Sequence, residues 1–240
     1  MSTAHARHIP REDEPLLGRP GDVKQSDRDS WVFNVVQGTG LIAQFGGIVL
    51  LATIWSAVFN HRLIPFSAHP LLNSAGVVLG VEAMLLLQPT HTPEQKRLGA
   101  HIHGAINMLA ALCYIAALSV VEWNKIHHNI PHFESPHAVL GLVTYILIGV
   151  QAFIGFTQFY TPSLYGGENN SNAKKLYKYH RVGGYTILLF QIITAALATK
   201  TYYGAHVLHI KTWLVVLAGV LVLLGVYPRI KKQKIAIFSS

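Results

Sequence analysis

The sequence predicts an all-α integral membrane protein with six transmembrane helices, and three observations carry that reading. The apolar residues come in six uninterrupted blocks of the length that spans hydrocarbon, roughly 20 residues. Only 12% of the 240 residues are charged and 51% are hydrophobic, about half the charged share of a soluble domain. The basic residues sit between the blocks, so the net charge of +8 reads as membrane orientation rather than a nucleic-acid footprint.

Residues 1–30 contain no apolar run and mix five basic with six acidic side chains. They read as a polar, disordered cytosolic tail without a signal-peptide pattern. Within them, Glu12-Asp13-Glu14-Pro15-Leu16-Leu17 has the form of an acidic dileucine sorting signal. The membrane domain covers residues 31–230, and residues 231–240 form a second cytosolic tail. The first apolar block runs from about Val32 to Phe59, the second from Pro70 to Leu87 and the third from His101 to Val121. The fourth spans His137 to Tyr160, the fifth Val182 to Thr199 and the sixth about Ile210 to Tyr227, ended by Pro228 and Arg229. No Lys or Arg lies inside a block except Lys211 at the edge of the sixth. The single cysteine, Cys113, falls inside the third block and reads as a small buried hydrophobe.

Six crossings put both termini on one side. Fifteen Lys and Arg residues fall on that side, including Lys96, Arg97, Lys174, Lys175, Lys178 and Arg181, against Arg62, Lys125, Lys200 and Lys211 on the other. The positive-inside bias therefore places both termini in the cytosol. Asn169-Asn170-Ser171 matches a glycosylation acceptor and argues the other way, but the charge bias outweighs a three-residue match.

Four histidines, His69, His103, His137 and His180, each stand near the start of an apolar block, spaced by 34, 34 and 43 residues. Alternating helix direction puts His69 with His137 on the non-cytosolic side and His103 with His180 on the cytosolic side. Ionisable side chains inside a membrane usually line a site or face a partner. Two neutral imidazoles on facing helices can fill both axial positions of a haem iron, an arrangement suited to electron transfer. A zinc site would need four converging ligands, which the blocks do not supply. The equal spacing and the adjacent Gly104 and Ala105 favour His103 as the ligand, with His101 as the alternative. Glu82, the one acid inside a block, lies ~20 Å along its helix from His69, near the cytosolic site, for a hydrogen bond in the bundle or a charge-balancing proton.

Lys125, His127, His128 and His132 crowd beside the non-cytosolic pair and read either as a solvated loop or as a docking site for an anionic electron acceptor. Lys96, Arg97, Lys178 and Arg181 occupy the equivalent place for a cytosolic donor and for haem propionates. His5, His8, His61, His91, His206 and His209 read as water-facing.

Together these residues resemble the cytochrome b561 family over roughly residues 35 to 230. The motif positions are Phe66-Ser67-Ala68-His69-Pro70, His103, His137 and Lys175-Leu176-Tyr177-Lys178-Tyr179-His180. Val81-Glu82-Ala83-Met84-Leu85-Leu86 looks most like the short, bare-domain branch. The resemblance implies two haem b groups in a core of helices 2 to 5, with helices 1 and 6 peripheral. It implies electron transfer from cytosolic ascorbate to monodehydroascorbate or a ferric chelate across the membrane. The chain departs from ascorbate-using members at the end of the second helix. They carry an arginine- and aromatic-rich stretch there, and this chain reads Leu87-Gln88-Pro89-Thr90-His91. The contrasting readings are a haem-free transporter or channel that uses the histidines as a proton or metal relay, and a membrane scaffold. Expected partners are the small-molecule donor and acceptor and the lipid bilayer, with room for a homodimer and none for nucleic acid. The expected location is a eukaryotic endomembrane, vacuolar or lysosomal, in preference to the plasma membrane.

Overall fold

A bilayer offers backbone polar groups no partner but each other, so each apolar block closes its own hydrogen bonds as a helix. A computed structural model describes residues 23–26, 29–167 and 171–231, with the backbone alone for 171–175. In it α1 (Gly40–Phe59), α2 (Ala68–Leu87), α3 (Pro93–His127), α4 (Pro136–Tyr160), α5 (Ser171–Ala198) and α6 (Thr212–Val226) follow one another. The described residues contain six helices long and apolar enough to cross a membrane, and the protein is an all-α integral membrane protein.

Three boundaries differ from the sequence reading. The first block is divided: Trp31–Val35 makes a 3-10 turn, Gly38 turns the chain with φ 51°, and α1 starts at Gly40. Helices α3 and α5 begin well before their apolar blocks, so His103 and His180 lie ten and nine residues past Pro93 and Ser171 rather than at helix starts. For α3 the cause is capping. The Thr92 hydroxyl accepts from the Gln95 amide at 3.2 Å and the Gln95 side chain accepts from the Thr92 amide at 3.4 Å. Pro93 fits the first helical position, and the box starts the helix in water, where its charged first turns cost nothing.

Helices α1 and α6 expose one face, with Phe45, Ile48, Trp213 and Leu224, and pack the other into the apolar core. Leu50, Ile54 and Val58 pack with Val77, Val81 and Leu85 of α2, Leu188 of α5 and Val215 and Val222 of α6. Gly46 allows the close approach of α1 to α6, since a Cβ there would lie 2.7 Å from the Val222 nitrogen. Helices α3 and α4 likewise expose Leu112, Ile115, Leu142, Ile146 and Phe153, faces suited to lipid.

The last turn of α2 is finished by distant parts of the chain. Its terminal carbonyls have no partner within the helix. Arg229, only 2% exposed, donates through Nη2 to Leu85 O at 3.0 Å and Asn34 O at 2.7 Å. Asn34 donates to Leu86 O and to the Gln25 side chain, both at 2.9 Å. Gln25, in the stretch read as tail, is thereby held to the bundle, and its amide donates to Pro89 O. Arg229, one of the fifteen charges assigned to the cytosolic side in the sequence reading, is in fact interior, because α6 ends within its reach of these carbonyls. Glu82 accepts from Gln44 Nε2 at 2.7 and 2.9 Å and lies within electrostatic reach of Arg229. The dileucine pattern, Asn169, Asn170 and the tail beyond Lys231 lie outside the described residues.

Candidate functional site

Ser135 caps α4, accepting from the Ala138 amide at 3.2 Å, and Pro136 starts the helix. His137 is thereby held in its first turn. His69 is the second residue of α2. The two rings lie 6.3 Å apart between centroids, with planes at 89°. Each is oriented by a helix that supplies neither: His69 Nδ1 lies 3.0 Å from Ala117 O of α3, and His137 Nδ1 lies 3.0 Å from Thr194 O of α5. A carbonyl can only accept, so each Nδ1 carries the proton and Nε2 is the basic nitrogen. Phe66 stacks on His69 at 5.5 Å, and Tyr203 meets Phe66 edge-on at 4.9 Å.

In the second pair one ring repeats this arrangement with the helices exchanged. His103 of α3 has Nδ1 3.0 Å from Ala83 O of α2. Ala83 lies 14 residues beyond His69, ~21 Å along the helix. His180 of α5 is within electrostatic reach of His103, and Gln151 of α4 donates to its carbonyl at 2.6 Å. Gly155 makes room for the ring, since a Cβ there would lie 2.8 Å from His180 Cε1. His180 differs from the other three in that its Nδ1 is buried without a hydrogen-bond partner. His101 is exposed and turns outward, its ring 4.7 Å from Phe159.

The donor set fits a planar metal complex held between two rings. Imidazoles that each reach one metal ion at about 2 Å through a ring nitrogen have centroids about 6 Å apart. The carbonyl on Nδ1 is the outer partner that metal-bound histidines usually have. Among the described residues no three His, Cys, Asp or Glu side chains converge as a metal site of another kind.

The remaining candidate residues occupy the two ends. Lys96 and Arg97 are exposed in the first turns of α3, Lys178 is half-buried and Arg181 lies on the surface of α5. Lys231 lies within electrostatic reach of Lys24 and Lys96. Beside them a cavity of about 290 Å³ is lined by Gln25, Trp31, Asn34, Leu86, Glu94 and Gln95, among others. Sequence reasoning missed it because it forms only when Gln25 and Asn34 fold onto α2. At the other end the loop is internally bonded. Lys125 donates to Pro131 O at 2.6 Å, His132 meets Glu122 at 2.8 Å and His127 stacks on Trp123 at 5.1 Å. Lys125 also lies within electrostatic reach of His137. His61 is half-buried rather than water-facing, with Nδ1 2.7 Å from Ala57 O and its ring 6.3 Å from His209.

Residues 68–204 match the model of the eukaryotic cytochrome b561 family. The chain is 30% identical over 131 residues to a lysosomal membrane ascorbate-dependent ferrireductase of Mus musculus, covering 51% of this chain and 54% of that protein. It is 30% identical over 123 residues to a plasma membrane ascorbate-dependent reductase of Mus musculus, covering 48% and 42%. A transmembrane ascorbate-dependent reductase of Mus musculus is 28% identical over 159 residues, covering 64% and 62%. The chain belongs to the eukaryotic cytochrome b561 family, and that membership implies haem b. It spans about half the length of the first of these relatives.

Proposed function

We propose that the chain is a transmembrane reductase with two haem b groups, one between His69 and His137 and one between His103 and His180. The observation that supports it best is the His69–His137 geometry, with rings 6.3 Å apart and each Nδ1 on a backbone carbonyl. Bound haem supplies a one-electron ferric/ferrous couple without an open coordination position. The protein holds the rings, fixes their tautomer through Ala117, Thr194 and Ala83, and keeps the two sites ~21 Å apart along α2.

The positive-inside bias supports a cytosolic location for His103 and His180. On that side Lys96, Arg97, Lys178 and Arg181, with Lys24 and Lys231, form a basic surface for an anionic donor. Ascorbate fits that charge, and relatives are named as ascorbate-dependent. Beside His69 and His137, the loop with Lys125, His127, His128 and His132 would receive monodehydroascorbate or a ferric chelate. His103 rather than His101 serves as ligand in this reading, because His103 points to Ala83 inside the bundle and His101 to Phe159 outside it. A lysosomal or vacuolar membrane is supported by the lysosomal relative and the dileucine pattern.

The test is reconstitution into vesicles loaded with ascorbate. The expected result is the appearance of the reduced b-type absorption bands followed by reduction of an external ferric chelate. Absence of sharp b-type bands in the dithionite-reduced protein would overturn the proposal.

A further inference from the structure

The two histidine pairs differ at the His180 Nδ1 and also in the layer beneath the rings. One turn inward from His69, Asn73 donates to His69 O at 2.9 Å and lies 3.4 Å from His69 Nδ1. Its Oδ1 accepts from Tyr145 of α4 at 2.8 Å. Three residues inward from Ala117, Tyr114 accepts from Gln191 of α5 at 2.8 Å, and Gln191 itself lies three residues inward from Thr194. The rings of Tyr114 and Tyr145 meet edge-to-face at 6.2 Å. Gly76 of α2 faces the buried Tyr114 ring, where a Cβ would clash.

All four helices of the histidine bundle thus contribute one residue to a single layer: Asn73 from α2, Tyr114 from α3, Tyr145 from α4 and Gln191 from α5. One hydrogen bond joins α2 to α4, the helices that carry His69 and His137. The other joins α3 to α5, the helices whose carbonyls orient those two rings. At the opposite end Asn107 stands at the same spacing after His103, yet its described hydrogen bonds go to His103 itself. His180 there lacks an Nδ1 partner.

We propose that Asn73, Tyr114, Tyr145 and Gln191 form a positioning layer that fixes the spacing and ring orientation of His69 and His137 and makes the two redox centres unequal. It rests on the two-site reading above. The hydroxyls act as neutral hydrogen-bonding groups: Tyr145 faces an amide oxygen, which is too weak a base to take its proton. Losing either bond leaves an amide group unpaired inside the membrane and frees its two helices to move relative to each other.

Redox titration and electron paramagnetic resonance of the full-length protein test this in wild type, Y145F, Y114F and N107A. Two redox waves are expected in wild type. Y145F and Y114F should each shift one wave and its low-spin resonance, the same one that H69A abolishes, and leave the other unchanged. N107A should shift only the wave that H103A abolishes. If Y145F shifts both waves, neither, or the wave that depends on His103, the positioning layer is refuted. Loss of haem in Y145F leaves Y114F, which keeps its ring packed against Gly76, to decide between the same outcomes. A single wave in wild type overturns instead the two-site reading beneath it.

Discussion

The imidazole of His69 lies 6.3 Å from that of His137, with the two planes crossed at 89°. If these two rings hold a haem as proposed, their crossed planes would bring two iron d orbitals close in energy and make its low-spin ferric form strongly anisotropic. The oxidised protein is expected to show one highly anisotropic low-spin resonance that disappears in H69A and H137A and persists in H103A. Its persistence in H69A would separate the signal from this pair.

Gly155 is a point at which one methyl group should distinguish the sites. In G155A the new carbon would sit 2.8 Å from His180 Cε1, so the ring must move, at a cost of ~1–3 kcal/mol for overpacking. On the proposed two-site reading, G155A should lose or perturb the haem assigned to His103 and His180 and leave the other intact, as measured by haem-to-protein ratio. G149A is the control: nothing lies within 4 Å of a Cβ there, and its spectrum should match wild type.

Arg229 is interior although it lies just past the end of α6, and its substitution is expected to be costly. R229M removes the donor to Leu85 O and Asn34 O and leaves those carbonyls unpaired in the interior, a loss of ~1–3 kcal/mol for each. Denaturation in detergent should show this, and E82Q combined with R229M should cost less than the two single changes added.

Lys231 supplies a pH test outside the membrane. Burial, together with Lys24, Lys96 and Arg229, holds its ammonium below the usual lysine range. The charged form is therefore penalised in the folded protein, and the penalty is present at neutral pH and relieved as pH rises through the folded pKa toward the unfolded value. K231Q should raise the melting temperature at pH 7, with a gain that shrinks toward pH 10; a gain independent of pH would exclude this cause.

The six crossings were legible because a bilayer demands uninterrupted apolar blocks, and the pairing of the histidines followed from alternating helix direction. The extra turns of α3 were hidden because Glu94, Lys96 and Arg97 end the apolar block without ending the helix, although Thr92-Pro93-Glu94-Gln95 carried the capping signal. The orienting carbonyls of Ala117, Thr194 and Ala83 could not be read, since a backbone oxygen leaves no mark in side-chain identity. His69 with Asn73 and His103 with Asn107 repeat one four-residue spacing, which could have marked those asparagines. Their different partners come from contacts such as Asn73 with Tyr145, 72 residues apart. Arg229 looked like an ordinary cytosolic charge because reach and burial depend on where α6 ends.

The most direct measurement is the haem-to-protein ratio and reduced-minus-oxidised spectrum of the purified wild type and of H69A, H137A, H103A and H180A. Two haems per chain are expected in wild type. H69A and H137A should lose one spectral component, and H103A and H180A the other. Fewer than two haems in wild type, or loss of the same component in H69A and H180A, would contradict the two-site arrangement.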